Sequence, residues 1–147
     1  MSNLTIDFSN GTAKLSGYID ETADFSVLSG ATGKLEVDFK GVTRVNSCGI
    51  REWVNALAKI PATEIEYLEC PAVVVKQLNA VPDFQGRAKV ASFYAPYFCE
   101  PCEMEKAVLV KGTAFQGAGP EFKCPKCGKP MNLDAIPAQY FAFLSRK

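Results

Sequence analysis

The chain has 147 residues, 48% of them hydrophobic and 22% charged, with 16 Lys and Arg against 16 Asp and Glu. That length and composition suit one soluble globular domain with a full core, or a small domain plus an appendage, and zero net charge supplies no general field to gather DNA, RNA or acidic lipid. Histidine is absent, which removes the usual general base near neutral pH, His-based triads and H-E-x-x-H metal sites. Neither G-x-x-x-x-G-K-[ST] nor G-x-G-x-x-G occurs, so no phosphate-cradling loop of those kinds is expected.

The opening residues form no basic and apolar leader, and no apolar run approaches the ~20 residues of a membrane span; a cytoplasmic location is expected. Leu4, Ile6 and Phe8 alternate with polar residues, Asn10-Gly11 signals a tight turn, and Ala13 and Leu15 alternate again, which predicts an entry hairpin. Asp20 or Thr22 can cap a short helix carrying Phe25, Val27 and Leu28, closed by Gly30 and Gly33.

Next, Leu35, Val37 and Phe39 alternate with Glu36, Asp38 and Lys40, the period of a strand with one buried face. Past Asn46-Ser47-Cys48-Gly49 the period changes, and Ile50, Trp53, Val54 and Leu57 line one side of a helix that Pro61 stops. That helix starts near Ser47, whose hydroxyl can accept an orphan N–H of the first turn as an N-cap. A strand over 64–69, a helix opening at Pro71 with Val74, Val75, Leu78 and Val81 inward, and a last strand over 86–95 complete an alternating pattern. The fold class expected is α/β, a mainly parallel sheet with helices chiefly on one face.

Four of the six cysteines make two C-x-x-C pairs, Cys99 with Cys102 and Cys124 with Cys127, separated by 21 residues. Each pair can close a turn on one tetrahedral ion, so the expected cofactor is Zn2+ in a closed structural site, a zinc ribbon with a strand near Glu105 to Lys111 and a permissive Gly128 after the second pair. Disulfides or a redox pair are the competing reading. Lys123, Lys126 and Lys129 frame the second knuckle, but a divalent ion with four thiolates carries net charge −2, which offsets them and makes nucleic acid the minor expectation. Cys48 and Cys70 are left over; both are read as small buried thiols, although the first turn of a helix can also activate a thiol. Asp134 can cap a closing helix with Ile136, Tyr140, Phe141 and Leu144 inward, docked on the first domain or on another copy of the chain.

The segment Gly41 to Ile50, G-V-T-R-V-N-S-C-G-I, resembles the signature of the STAS family, the sulphate-transporter and anti-sigma-factor-antagonist domain, in which a strand runs into G-V-x-x-[IV]-D-S-S-G-L at a helix start. The stretches Leu15 to Ala23 and Cys70 to Leu78 are similar to two further family segments, the first one residue short. The resemblance covers about the first two-thirds of the chain. It implies a STAS-like domain over 1–98; the cysteine pairs set the zinc ribbon over 99–134, and the apolar spacing a C-terminal helix over 135–147. It also implies a non-enzymatic module of bacterial signalling that binds a serine kinase, an anti-sigma factor or a scaffold, and lets go when a serine at the helix start is phosphorylated. Carried over by position, Ser47 is that serine, Asn46 stands where the family has aspartate, Cys48 where it has a second serine or threonine, and Asp20 matches the acidic residue after the second strand. Two other readings stay open: a zinc-ribbon nucleic-acid binder or scaffold in which the first domain forms a homodimer, and an enzyme using Cys48, for which no base is visible.

Overall fold

Asn10 and Gly11 both take positive φ, 50° and 79°, as the two-residue turn between twisted antiparallel strands requires, and join β1 (Leu4–Ser9) to β2 (Thr12–Ile19). The structure, a computed structural model, describes residues 2–111 and 122–145. β3 (Lys34–Val45), β4 (Glu64–Leu68) and β5 (Lys89–Val90) extend the hairpin into a five-stranded sheet of order β1-β2-β3-β4-β5, parallel except for the first pair. The expected α/β class with a mainly parallel sheet is therefore present.

The crossovers are α1 (Ser47–Lys59) and the helix pair α2 (Ala72–Ala80) and α3 (Pro82–Gln85). Leu35, Val37 and Phe39 of β3 are fully buried while Glu36 and Asp38 between them are half-buried, which sets the apolar face of the sheet under the helices. There Phe39 meets Tyr67 and Trp53 edge to face, with ring centroids 4.9 and 5.9 Å apart, and Phe25 meets Trp53 at 4.9 Å. The polar atoms of this cluster are paired: Trp53 Nε1–H donates to Tyr67 Oη at 3.0 Å, and the Tyr67 hydroxyl donates to the Phe84 carbonyl at 2.7 Å. Buried donors and acceptors left unpaired would each cost about 1–3 kcal/mol, so the triangle of bonds lets a tyrosine and a tryptophan sit where only hydrocarbon would otherwise be tolerated.

The first short helix is a 3-10 turn, Ser26–Gly30, and its cap is neither Asp20 nor Thr22. Phe25 holds the N-cap position without a side-chain cap, and Asp24 Oδ1 accepts the Ser26 N–H at 3.0 Å. The strand expected over 86–95 divides at Ala91. Its first two residues, β5, pair with β4, and the Ala91 N–H still bonds the Tyr67 carbonyl at 2.8 Å. Beyond Ala91 the chain becomes β6 (Ser92–Cys99), the middle strand of a second, antiparallel sheet with β7 (Met104–Lys111) and β8 (Asn132–Leu133). β7 confirms the strand expected between the two cysteine pairs.

Main-chain bonds tie the two sheets together. Cys70 N–H donates to the Ser92 carbonyl at 3.2 Å, Tyr94 N–H donates to the Cys70 carbonyl at 2.8 Å, and Glu69 N–H donates to Ser92 Oγ at 2.8 Å. Cys70 is fully buried at this junction, as expected, and burial pushes its thiol well above the usual range. The end of the chain forms α4 (Pro137–Tyr140) and a 3-10 turn, Ala142–Ser145, instead of one long helix; residues 146 and 147 lie outside the described residues. It docks on its own chain. Asn79 of α2 donates through Nδ2 to the Tyr140 carbonyl and accepts the Phe143 N–H through Oδ1, both at 2.9 Å, while Phe143 packs on Phe93. Among the described residues no helix is long and apolar enough to cross a membrane.

Candidate functional sites at the helix start and the cysteine cluster

The start of α1 is laid directly on the last turn of β2. The Asn46 N–H donates to the Ile19 carbonyl at 3.1 Å, and a Cβ placed on Gly49 would stand 2.0 Å from that same oxygen. Only glycine permits this approach. Asn46, extended at φ −117° and ψ 174°, accepts the Gly49 N–H through Oδ1 at 2.8 Å and so caps the helix. The cap is therefore Asn46 and not Ser47: with the third N–H of the helix bonded back to residue 46, Ser47 becomes the first helical residue and stands exposed.

Cys48 is also exposed, contrary to the buried thiol expected. Gly49, Trp53 and Leu57 form the inward line of α1, and residue 48 falls on the outward side with Arg51 and Asn55. Asp20, by contrast, is only 8% exposed. Its carboxylate accepts from Asn3 Nδ2 at 2.8 Å, from the Thr22 N–H at 2.9 Å and from the Thr22 hydroxyl. The Asn3 amide foremost, with Thr22, holds this carboxyl below the usual range. Asp20 thus favours the fold above the ordinary carboxyl pKa, a contribution that fades as pH falls toward its lowered value. It pins the N-terminal segment to the end of β2 and is not itself displayed.

The acid that is displayed is Glu21, whose Oε2 accepts from Asn46 Nδ2 at 3.1 Å. Beside it, on adjacent strand ends, Tyr18 is 42% exposed and the Arg44 guanidinium lies 5.3 Å over its ring. Sequence reading misses all three; an aromatic at an outward strand position was the signal available for Tyr18. The structure thus brings Ser47, Asn46, Cys48 and Glu21 together on one surface, with Asp20 beneath it.

The second site is the cysteine cluster. The Sγ atoms of Cys99, Cys102, Cys124 and Cys127 all lie within 4.8 Å of one another, the Cys99–Cys127 pair at 3.6 Å and the Cys102–Cys124 pair at 3.9 Å. Disulfide bonding would need about 2.05 Å, whereas sulfurs on a tetrahedron of about 2.3 Å metal–sulfur bonds stand about 3.8 Å apart. The four could hold one metal ion.

Both knuckles are built alike. The residue after each second cysteine is left-handed, Glu103 at φ 49° and Gly128 at φ 74°, which turns the chain so that backbone N–H groups face sulfur. The Cys127 N–H foremost, with that of Lys126, draws the Cys124 thiol down to about 6, and the Cys102 N–H bonds Cys99. Cys102 is pushed up to about 12, chiefly by the neighbouring Cys127 sulfur. Four sulfurs this close resist carrying their charges together, a conflict that a cation among them removes. Cys99 and Cys124 are buried while Cys127 is exposed.

No family model matches the chain, and no curated protein and no solved structure matches it.

The capping geometry separates two neighbouring side chains. Asn46→Ala is expected to destabilise the fold by about 1 kcal/mol, and Ser47→Ala by less than about 0.5 kcal/mol. Urea unfolding followed through Trp53 emission measures both; equal losses would return the capping role to Ser47.

Proposed function

We propose that the chain is a non-enzymatic protein-interaction module, a STAS-like domain of the anti-sigma-factor-antagonist type joined to a zinc ribbon, whose partner binding is switched by phosphorylation of Ser47. The observation that carries this reading is that Ser47 stands exposed at the first position of α1 while Asn46 does the capping. Its hydroxyl can be modified without removing a bond that holds the helix. A phosphate there gains the positive end of a 13-residue helix and adds about −2 charge to a face that already displays Glu21. A partner fitted to the unmodified face would meet both the new charge and its hydration. The order of strands, with one antiparallel hairpin leading a parallel sheet and helices beneath it, is in keeping with the resemblance in the segment 41–50.

Zinc is the ion that four thiolates at these spacings favour, since a closed tetrahedral sulfur set suits it and supplies no open position for chemistry. A second reading, nucleic-acid binding, is favoured by the exposure of Lys123, Lys126 and Lys129 around the second knuckle. The −2 charge of the loaded site stands against it.

Two experiments follow from this reading. Native mass spectrometry should find one zinc ion per chain, and Cys124→Ser should lose it together with the protection of the second sheet; iron in its place, or no metal, would overturn the assignment. Affinity capture from the native lysate should retain a protein partner on wild type that Ser47→Asp binds at least tenfold less. Because an acid at the first helical position stabilises the helix by about 0.3–1 kcal/mol, that loss would not come from unfolding. Equal capture by both proteins would retire the switch, and salt-eluted nucleic acid in both would favour the second reading.

A further inference from the structure

The hairpin leaves one edge of the five-stranded sheet open. Ser9 pairs with Thr12 around the two-residue turn, so Asp7 with Lys14 and Thr5 with Ser16 follow as the bonded pairs of the ladder, and the Asn3 carbonyl still accepts the Tyr18 N–H at 3.0 Å. The main-chain groups of Leu4, Ile6 and Phe8 consequently point the other way. Among the described residues no strand lies beyond β1, and of these N–H groups Leu4 reaches its own Ser2 Oγ at 3.1 Å.

Unpaired strand edges are ordinarily guarded by lysine, proline, a bulge or a charge pointing inward. β1 has none of these. Its six residues, Leu4–Ser9, carry a single charge, Asp7, and pair with β2 without a break in register. Along the inner side of this edge Ile6 and Phe8 are only half-buried, and the 3-10 turn packed against β1 leaves Val27 49% exposed. Among the described residues, the N–H groups of Ile6 and Phe8 and the outward carbonyls of β1 therefore run beside incompletely covered apolar surface.

We propose that β1 is a homodimerisation edge, pairing antiparallel with β1 of a second copy about a two-fold axis at Ile6. The occupant is fixed by self-complementarity. With the axis at Ile6, residue numbers across the pair sum to twelve, so Ile6 meets Ile6, Leu4 meets Phe8 and Thr5 meets Asp7. The three apolar residues then stand on one side of the joined sheet, the side already facing the core, and directly opposite residues lie near enough to pack. On the solvent side each Asp7 faces a threonine, and no charge meets its like. The hydrogen bonding agrees with this register independently. Ile6 is an outward-pointing residue, and an outward residue on the axis exchanges both of its bonds with its own copy, while Phe8 N–H reaches the Leu4 carbonyl of the other chain. A shift of one residue would put Thr5 or Asp7 on the axis, where main-chain groups point back into the hairpin. The two five-stranded sheets become one continuous sheet.

Sedimentation equilibrium on the full chain with zinc supplied, at low salt, tests this through charge. Wild type should dimerise reversibly. Thr5→Asp, which sets one new carboxylate opposite Asp7 in each of the two symmetric pairs, should weaken the dimer roughly tenfold, and Thr5→Lys should tighten it severalfold. Ile6→Pro removes an N–H that the hairpin does not use and should give a folded monomer, its fold checked by the emission of buried Trp53. A wild type that stays monomeric up to about 0.5 mM, or a dimer whose affinity is the same in Thr5→Asp and Ile6→Pro, would overturn the proposal.

Discussion

The structure depends most on one close approach, that of the first turn of α1 to the Ile19 carbonyl. Gly49 makes room for that oxygen, and the Asn46 N–H bonds it. One acceptor thus fixes both the position and the direction of the helix. One turn beyond Gly49 the same helix delivers Trp53 among Phe25, Phe39 and Tyr67, so the seat of the helix start also sets the packing of the aromatic core. At the surface it brings the Asn46 side chain to Glu21 and leaves Ser47 and Cys48 outward. The core and the candidate interaction face are consequences of a single contact.

A different principle joins the second sheet to the first. The strand that finishes the parallel sheet becomes, one residue later, the centre of the antiparallel one. Cys70 sits where the backbone bonds of both meet, and a buried small thiol suits a place where main chains crowd. At the far end of β6, Cys99 enters the four-cysteine cluster, while Tyr97 and Phe93 on the same side of the strand face the interior. A metal ion held by that cluster would couple its own binding to the folding of the second sheet along one strand, since ligands that must be deprotonated and gathered rarely assemble without the ion. The C-terminal turns close this sheet against α2 through Asn79, which satisfies a carbonyl and an N–H that a helix end would otherwise leave to water.

Much of this was legible in the sequence because short-range chemistry decided it. The Asn10-Gly11 turn, the change of period at residues 46–49 and the paired C-x-x-C spacings each have a local cause, and each appears where expected. The choice of cap was not local. Asn46 and Ser47 are adjacent and both good caps, and only the contact of Gly49 with β2, made across the fold, selects the first. Cys48 is instructive in another way: the spacing of Ile50, Trp53 and Leu57 already placed it off the buried line, and the general tendency of cysteine to be buried outweighed that signal. The division of the strand over 86–95 had no sequence signature, because extended backbone and alternation are the same whichever sheet receives the strand. Glu103 in a left-handed turn was similarly hidden, since a residue other than glycine or asparagine gives no warning of positive φ.

The most direct test of this account is the stability of Gly49→Ala beside that of Gly30→Ala in denaturant unfolding. A Cβ at position 49 would collide with the Ile19 carbonyl, whereas one at position 30 would meet nothing within 4 Å. The account predicts a loss of roughly 3 kcal/mol or more for Gly49→Ala and little change for Gly30→Ala. Equal stability of Gly49→Ala and wild type would show that the helix start is not seated on β2, and the arrangement of Asn46, Ser47 and Glu21 would lose its foundation.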